Sequence, residues 1–93
     1  MSEVARETVE IVNRKGLHAR ASAKFVGAVS ALPDGTKVTV TKDGIEAAGG
    51  SILGLMMLGA AKGDMVEIVV EGPDAASTCL RLVGLVKDRF GED

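Results

Sequence analysis

At 93 residues the chain is long enough for one domain with a small core. Its 46% apolar content includes only two aromatic residues, Phe25 and Phe90, so Val, Ile, Leu, Met and Ala must fill that core. A net charge of −2 offers no basic field for nucleic acid, no apolar run approaches the ~20 residues that span a bilayer, and a single cysteine, Cys79, rules out an internal disulfide.

Residues 1–6 read as a loose terminus without a signal-peptide pattern, which predicts a cytoplasmic protein. A first strand is expected over Thr8 to Asn13, with Val9 and Ile11 on one face. The loop Arg14 to Leu17 follows, with Gly16 free to adopt an unusual backbone angle. Ser22, Phe25, Val26, Val29 and Leu32 recur at helical spacing and predict a helix over Ala19 to Leu32, stopped by Pro33-Asp34-Gly35.

Thr36 to Lys42 alternates cleanly, with Val38 and Val40 toward the core. Asp43-Gly44 is the strongest short hairpin signal in the chain, and Ile45 to Ala48 is the returning strand. Gly49-Gly50-Ser51 breaks that strand. Ser51 is placed to cap a short helix over Ile52 to Leu58, with Gly59 or Gly63 at its exit. Met65 to Glu71 is a strand with Val66, Ile68 and Val70 on one face. Gly72-Pro73-Asp74 leads into a last helix, with Asp74 as its cap. Its apolar stripe reads Ala76, Cys79, Leu80, Val83, Val86 and Phe90, which makes Cys79 a buried structural thiol. The terminal 91–93 is expected to fray. The order β-α-β-β-α-β-α, with one apolar face per strand, predicts a single α+β domain over 1–93 in two layers. Strand order does not follow from this pattern.

His18, the only histidine, falls at or just before a helix N-terminus, flanked by Arg14, Lys15 and Arg20. The first amides of a helix have no internal partner and its dipole is positive there, so such an end suits an anion. A lone histidine in a small domain is more often a surface or capping residue. Histidine is nevertheless neutral in good part near pH 7 and nucleophilic, and the phosphoramidate it forms passes its group on readily. The protein's share of phosphoryl transfer is mostly positioning and charge stabilisation, which the amides of Ala19 and Arg20 and the Arg20 guanidinium can supply. No Gly-x4-Gly-Lys-Ser/Thr loop and no metal-ligand spacing occurs, so neither cofactor nor metal is expected, and the donor must be a partner protein.

Gly16-Leu17-His18-Ala19-Arg20 resembles the phosphorylation-site motif of the HPr family, the histidine-containing phosphocarriers of the bacterial phosphoenolpyruvate-dependent phosphotransferase system. Gly50-Ser51-Ile52-Leu53-Gly54-Leu55-Met56-Met57-Leu58-Gly59 is similar to the family's regulatory-serine segment. The resemblance covers Glu7 to Phe90. Many members carry Pro where this chain has Ala21, a change that affects the rigidity of the turn and removes no reactive group.

The resemblance implies an open-faced sandwich, a four-stranded antiparallel sheet covered on one face by three helices. It implies a transferable phosphoryl group on His18, a supporting role for Arg20, phosphorylated Enzyme I as donor and an IIA-type protein or domain as acceptor. It also implies regulation through Ser51 by a serine kinase/phosphorylase, since the corresponding serine is phosphorylated in some members. Such a carrier is a substrate of enzymes rather than an independent catalyst, and a monomer is expected.

Docking needs a surface. Ile52 to Leu58 is apolar nearly all round, with Leu55 and Leu58 expected in the core and Ile52, Leu53 and Met56 exposed as docking residues. Leu17 and Ala21, beside the histidine, are expected to join them. The alternative reading is a regulatory docking module that binds partners through this short helix, in a nitrogen-related or other regulatory branch rather than sugar uptake.

Overall fold

A computed structural model describes residues 3–92. The elements are β1 (Glu3–Glu10), α1 (Ala19–Ser30), β2 (Lys37–Lys42), β3 (Ile45–Ala48), α2 (Ile52–Met57), β4 (Met65–Gly72) and α3 (Ala75–Lys87), followed by a single 3₁₀ turn, Arg89–Gly91. The four strands form one antiparallel sheet in the order β1-β4-β2-β3. With three helices this is the open-faced α+β sandwich expected from the sequence.

Register explains why one face is covered. Directly paired residues point to the same side of a sheet. Val9 pairs with Val66, Val38 with Val70, and Val40 with both Ile68 and Ala47. All seven are buried. Against them pack Phe25 from α1, Leu55 from α2 and Val86 from α3, each nearly or fully buried. The hairpin turn has φ 51° at Asp43 and 81° at Gly44, the two left-handed residues a tight right-twisted hairpin requires. No helix of the described residues is long and apolar enough to cross a membrane.

Four expectations need correction. The first strand is β1, not Thr8 to Asn13, and residues 3–6 are part of it rather than a loose terminus (Met1 and Ser2 lie outside the described residues). An edge strand with a solvated face carries little apolar pattern; β1 is specified by eight pairings to β4, with Arg6 bridging to Glu67 at 3.6 Å. Ile11 has left the ladder but stays tied, its N–H donating to the Asp64 carbonyl at 2.8 Å and its carbonyl accepting from Gly63 at 2.7 Å.

Helix α1 ends at Ser30 with Ala31 as its cap, short of Leu32, a position that Pro33 disfavours for helix. Helix α3 buries Ala75, Thr78, Cys79, Leu82, Val83 and Val86, whereas Leu80 is 64% exposed and Ala76 is exposed as well. The buried face includes Thr78, a polar residue that an apolar pattern passes over. Asp74 occupies the cap position but with φ 57° and no side-chain cap bond.

Cys79 is buried and its thiol approaches the Ile68 carbonyl at 3.7 Å. Burial, with a smaller push from Glu7, raises its pKa. The folded protein is therefore expected to resist a thiol-labelling reagent at pH 8, with reaction appearing on addition of denaturant. Rapid labelling without denaturant would contradict the buried position.

Candidate functional site

The chain from Ile11 to His18 is a tight loop held at its two ends. Asn13 is fully buried. Its carbonyl accepts from Gly16 N–H at 3.3 Å, and its amide Nδ2 donates to the Gly16 carbonyl at 2.8 Å. Asn at the first and Gly at the fourth position is a common turn composition. Gly16 has φ +65°, and a Cβ there would lie 2.3 Å from the Ala60 carbonyl oxygen. That same oxygen accepts from Leu17 N–H at 2.9 Å. The segment after α2 thus clamps the loop directly ahead of His18.

His18 is the N-cap of α1, with extended backbone (φ −76°, ψ −179°) and no side-chain cap bond. Its carbonyl accepts the first helical bond, from Ser22 N–H at 2.9 Å, while the buried Ser22 hydroxyl donates to the Leu17 carbonyl at 3.2 Å. The ring is thereby free of capping duty, and its side chain is 26% exposed. It lies in an open depression lined by Arg14, Lys15, His18, Arg20 and Glu92. Ala19 and Arg20 are exposed on the first turn of α1.

Glu92 was expected to fray with the tail. Instead its Oε1 lies 2.7 Å from His18 Nε2 and 3.4 Å from Asn13 Nδ2. The bond from His18 holds the Glu92 carboxyl below its ordinary value of 4.5, with burial opposing and the charge of His18, the hydrogen bond from Asn13 and the charge of Lys24 adding to the lowering. A carboxyl so lowered contributes stability that is complete above 4.5 and is lost as pH falls through its folded value. Asp93 lies outside the described residues.

The structure brings His18 and Arg20 to one depression and adds Glu92 and Asn13, which sequence reasoning missed. Asn13 had a signal, the Asn-x-x-Gly turn composition. Glu92 had none, because Arg89 and Phe90 turn the chain with φ 58° and 56°, angles no pattern announces at such residues.

Ser51 caps α2, its hydroxyl accepting from Gly54 N–H at 2.9 Å. Leu55 and Leu58 are buried, while Ile52 (40%), Leu53 (67%) and Met56 (40%) are exposed, joined by Met57 at 75%. Leu17 and Ala21 are core residues, 7% and 0% exposed, so neither offers a docking surface. Both project from the inner side of the loop and helix whose outer side carries Arg20.

Residues 5–88 match the family model described as the PTS HPr component phosphorylation site. The chain is 44% identical over 87 residues to the phosphocarrier protein HPr of Neisseria meningitidis, covering 94% of this chain and 96% of that one. It is 32% identical to the phosphocarrier protein NPr of Escherichia coli, covering 95% and 97%. The crystal structure of HPr-C-His from Thermoanaerobacter tengcongensis superposes with a TM-score of 0.87 at 37% identity, covering 96% of this chain and 98% of that one.

Proposed function

The chain belongs to the HPr family of the phosphotransferase system, a phosphocarrier rather than a catalytic enzyme, and we propose that it takes a phosphoryl group from phosphorylated Enzyme I on His18 and passes it to an IIA-type protein. The observation that carries this reading is the His18 ring, partly exposed at the start of α1 among Arg14, Lys15 and Arg20. A ring nitrogen attacks phosphorus and the donor takes back its electron pair. The transferred group then meets the unpartnered amides of the first helical turn and the Arg20 guanidinium, both suited to phosphate oxygens. A ring and cations gathered on one depression are what positioning catalysis asks of a carrier.

The test is a reconstituted relay: phosphoenolpyruvate, purified Enzyme I and an IIA protein, with and without this chain. Label on the IIA protein only when the chain is present supports the reading. Label independent of the chain, or none when a known HPr restores it, overturns the reading.

The exposed face of α2, Ile52, Leu53, Met56 and Met57, is the proposed docking surface for both partners. Ser51 stands at its start. A phosphate on Ser51, added and removed by a serine kinase/phosphorylase, would bring about −1.5 to −2 charges to this apolar face. Helix α2 tolerates that charge; an acidic partner surface would not. Ser51→Asp is expected to slow phosphorylation of His18 by Enzyme I roughly tenfold, through the cost of juxtaposed like charges. An unchanged rate constant would remove Ser51 from the regulatory scheme.

Similarity to NPr favours a second reading, a regulatory branch in which partner binding through α2 is itself the output. His18→Ala separates the two. A docking module keeps its partner affinity without the ring, whereas a carrier keeps affinity but loses all output. We further expect a monomer working in the cytoplasm.

A further inference from the structure

The C-terminal 3₁₀ turn holds Glu92 in a position that costs conformational freedom to maintain. Arg89, Phe90 and Gly91 all have positive φ, 58°, 56° and 73°, in the region that disfavours side chains at the first two. The turn is fixed by Gly91 N–H to the Asp88 carbonyl and Glu92 N–H to the Arg89 carbonyl, both at 3.0 Å. Phe90 is completely buried and anchors the turn among Ile11, Leu17 and Phe25, under the His18 loop. Backbone strain of this kind persists only where packing over-determines it, and it concentrates at functional positions. Its consequence here is the 2.7 Å contact between Glu92 Oε1 and His18 Nε2.

We propose that Glu92 is a positioning residue for phosphoryl transfer: its carboxylate accepts Nε2–H of His18 and so keeps the lone pair of the neutral ring on Nδ1, the atom that attacks phosphorus. This rests on the carrier reading above and deepens it. A neutral imidazole carries one proton, and the partner of one nitrogen decides the role of the other. In the step itself Nδ1 forms the N–P bond and the bond from phosphorus to the donor breaks, its electron pair returning to the donor. Nε2 keeps its proton, so the phosphorylated ring becomes cationic beside the Glu92 carboxylate, which offsets that charge. Hand-off to the acceptor reverses each change. The groups around the pair are Asn13, which also donates toward the carboxylate, and the cations Arg14, Lys15, Arg20 and Lys24. Asn13, bonded at once to Gly16 and Glu92, ties the carboxylate to the loop that carries the ring.

The experiment uses the full chain as wild type, Glu92→Ala and Glu92→Gln. Long-range proton–nitrogen NMR reads the tautomer of the His18 ring at a pH where it is neutral, and single-turnover mixing with phosphorylated Enzyme I reads the rate. In the wild type Nε2 is expected to carry the proton. Glu92→Ala is expected to shift the ring toward mixed tautomers and slow phosphorylation about tenfold, the effect of losing one charge-assisted hydrogen bond. Glu92→Gln retains an acceptor oxygen and is expected to recover the tautomer and part of the rate. An unchanged tautomer in Glu92→Ala overturns the proposal. So does faster phosphorylation, which would make Glu92 an obstruction. If the wild type takes up no phosphoryl group, the carrier reading falls, and the ring spectrum still decides whether Glu92 sets the tautomer.

Discussion

His18→Ala is expected to abolish phosphoryl uptake from Enzyme I, to the background of the assay, while leaving the fold intact. The rate effect is total because His18 is the one histidine of the chain. Cys79 is buried with its thiol against the Ile68 carbonyl, and Ser51 is engaged as a helix cap. The cost to stability is confined to the 2.7 Å contact with Glu92 at the C-terminal turn. The ring makes no cap bond and is partly exposed, and the bonds that start α1 come from the His18 carbonyl and Ser22, which alanine leaves in place. Intact mass after incubation with phosphoenolpyruvate and Enzyme I reads the first part, and a urea unfolding curve reads the second. Continued uptake by the variant would move the phosphoryl site elsewhere in the chain.

The largest effect on stability is expected at Gly16. Gly16→Ala must hold a φ of +65°, which costs an L-residue about 1–2 kcal/mol. Its Cβ would also lie 2.3 Å from the Ala60 carbonyl oxygen and 2.8 Å from the Ala61 Cα, both backbone atoms that cannot swing aside. Relieving the clash parts the loop from the segment behind it and lengthens the 2.9 Å bond from Leu17 N–H to Ala60. A buried bond lost costs about 1 kcal/mol or more, so the total is roughly 3 kcal/mol. The urea midpoint should fall accordingly, and His18 phosphorylation should slow as the ring moves off its place. Gly27→Ala is the control: it lies mid-helix, and beyond its chain neighbours and its own helix backbone nothing comes within 4 Å of the added carbon, so it should gain up to about 1 kcal/mol in helix propensity. Equal midpoints for Gly16→Ala and wild type would mean that the loop is not clamped as described.

Most of the architecture was legible because local chemistry and global packing agree. Asp43-Gly44 demands a tight turn and receives one. Val38 and Val40 alternate because β2 has one wet face, and Ser51 caps the helix it precedes. Legibility failed where a residue's role is set by distant partners. The strand β1 is specified by pairing with β4 rather than by its own pattern, since Arg6, Thr8 and Glu10 face water. Thr78 is buried although polar, which rotates the face of α3 away from Leu80. Leu17 and Ala21 adjoin the exposed His18 and Arg20 in sequence but point inward. At the site, His18 and its cations were visible as residue types in one stretch. Glu92 was invisible because it returns to His18 only through the left-handed turn at Arg89 and Phe90, seventy-four positions later in the chain.

The central claim, that His18 carries a transferable phosphoryl group, is tested most directly by mapping the label. The wild-type protein is incubated with phosphoenolpyruvate and Enzyme I, its intact mass is read, and the modified residue is located by fragmentation under conditions that spare phosphoramidates. The expected result is one acid-labile phosphoryl group on the His18 ring, lost when an IIA acceptor is added. An acid-stable group, a group on another residue, or no group from an Enzyme I that labels a known HPr would contradict it.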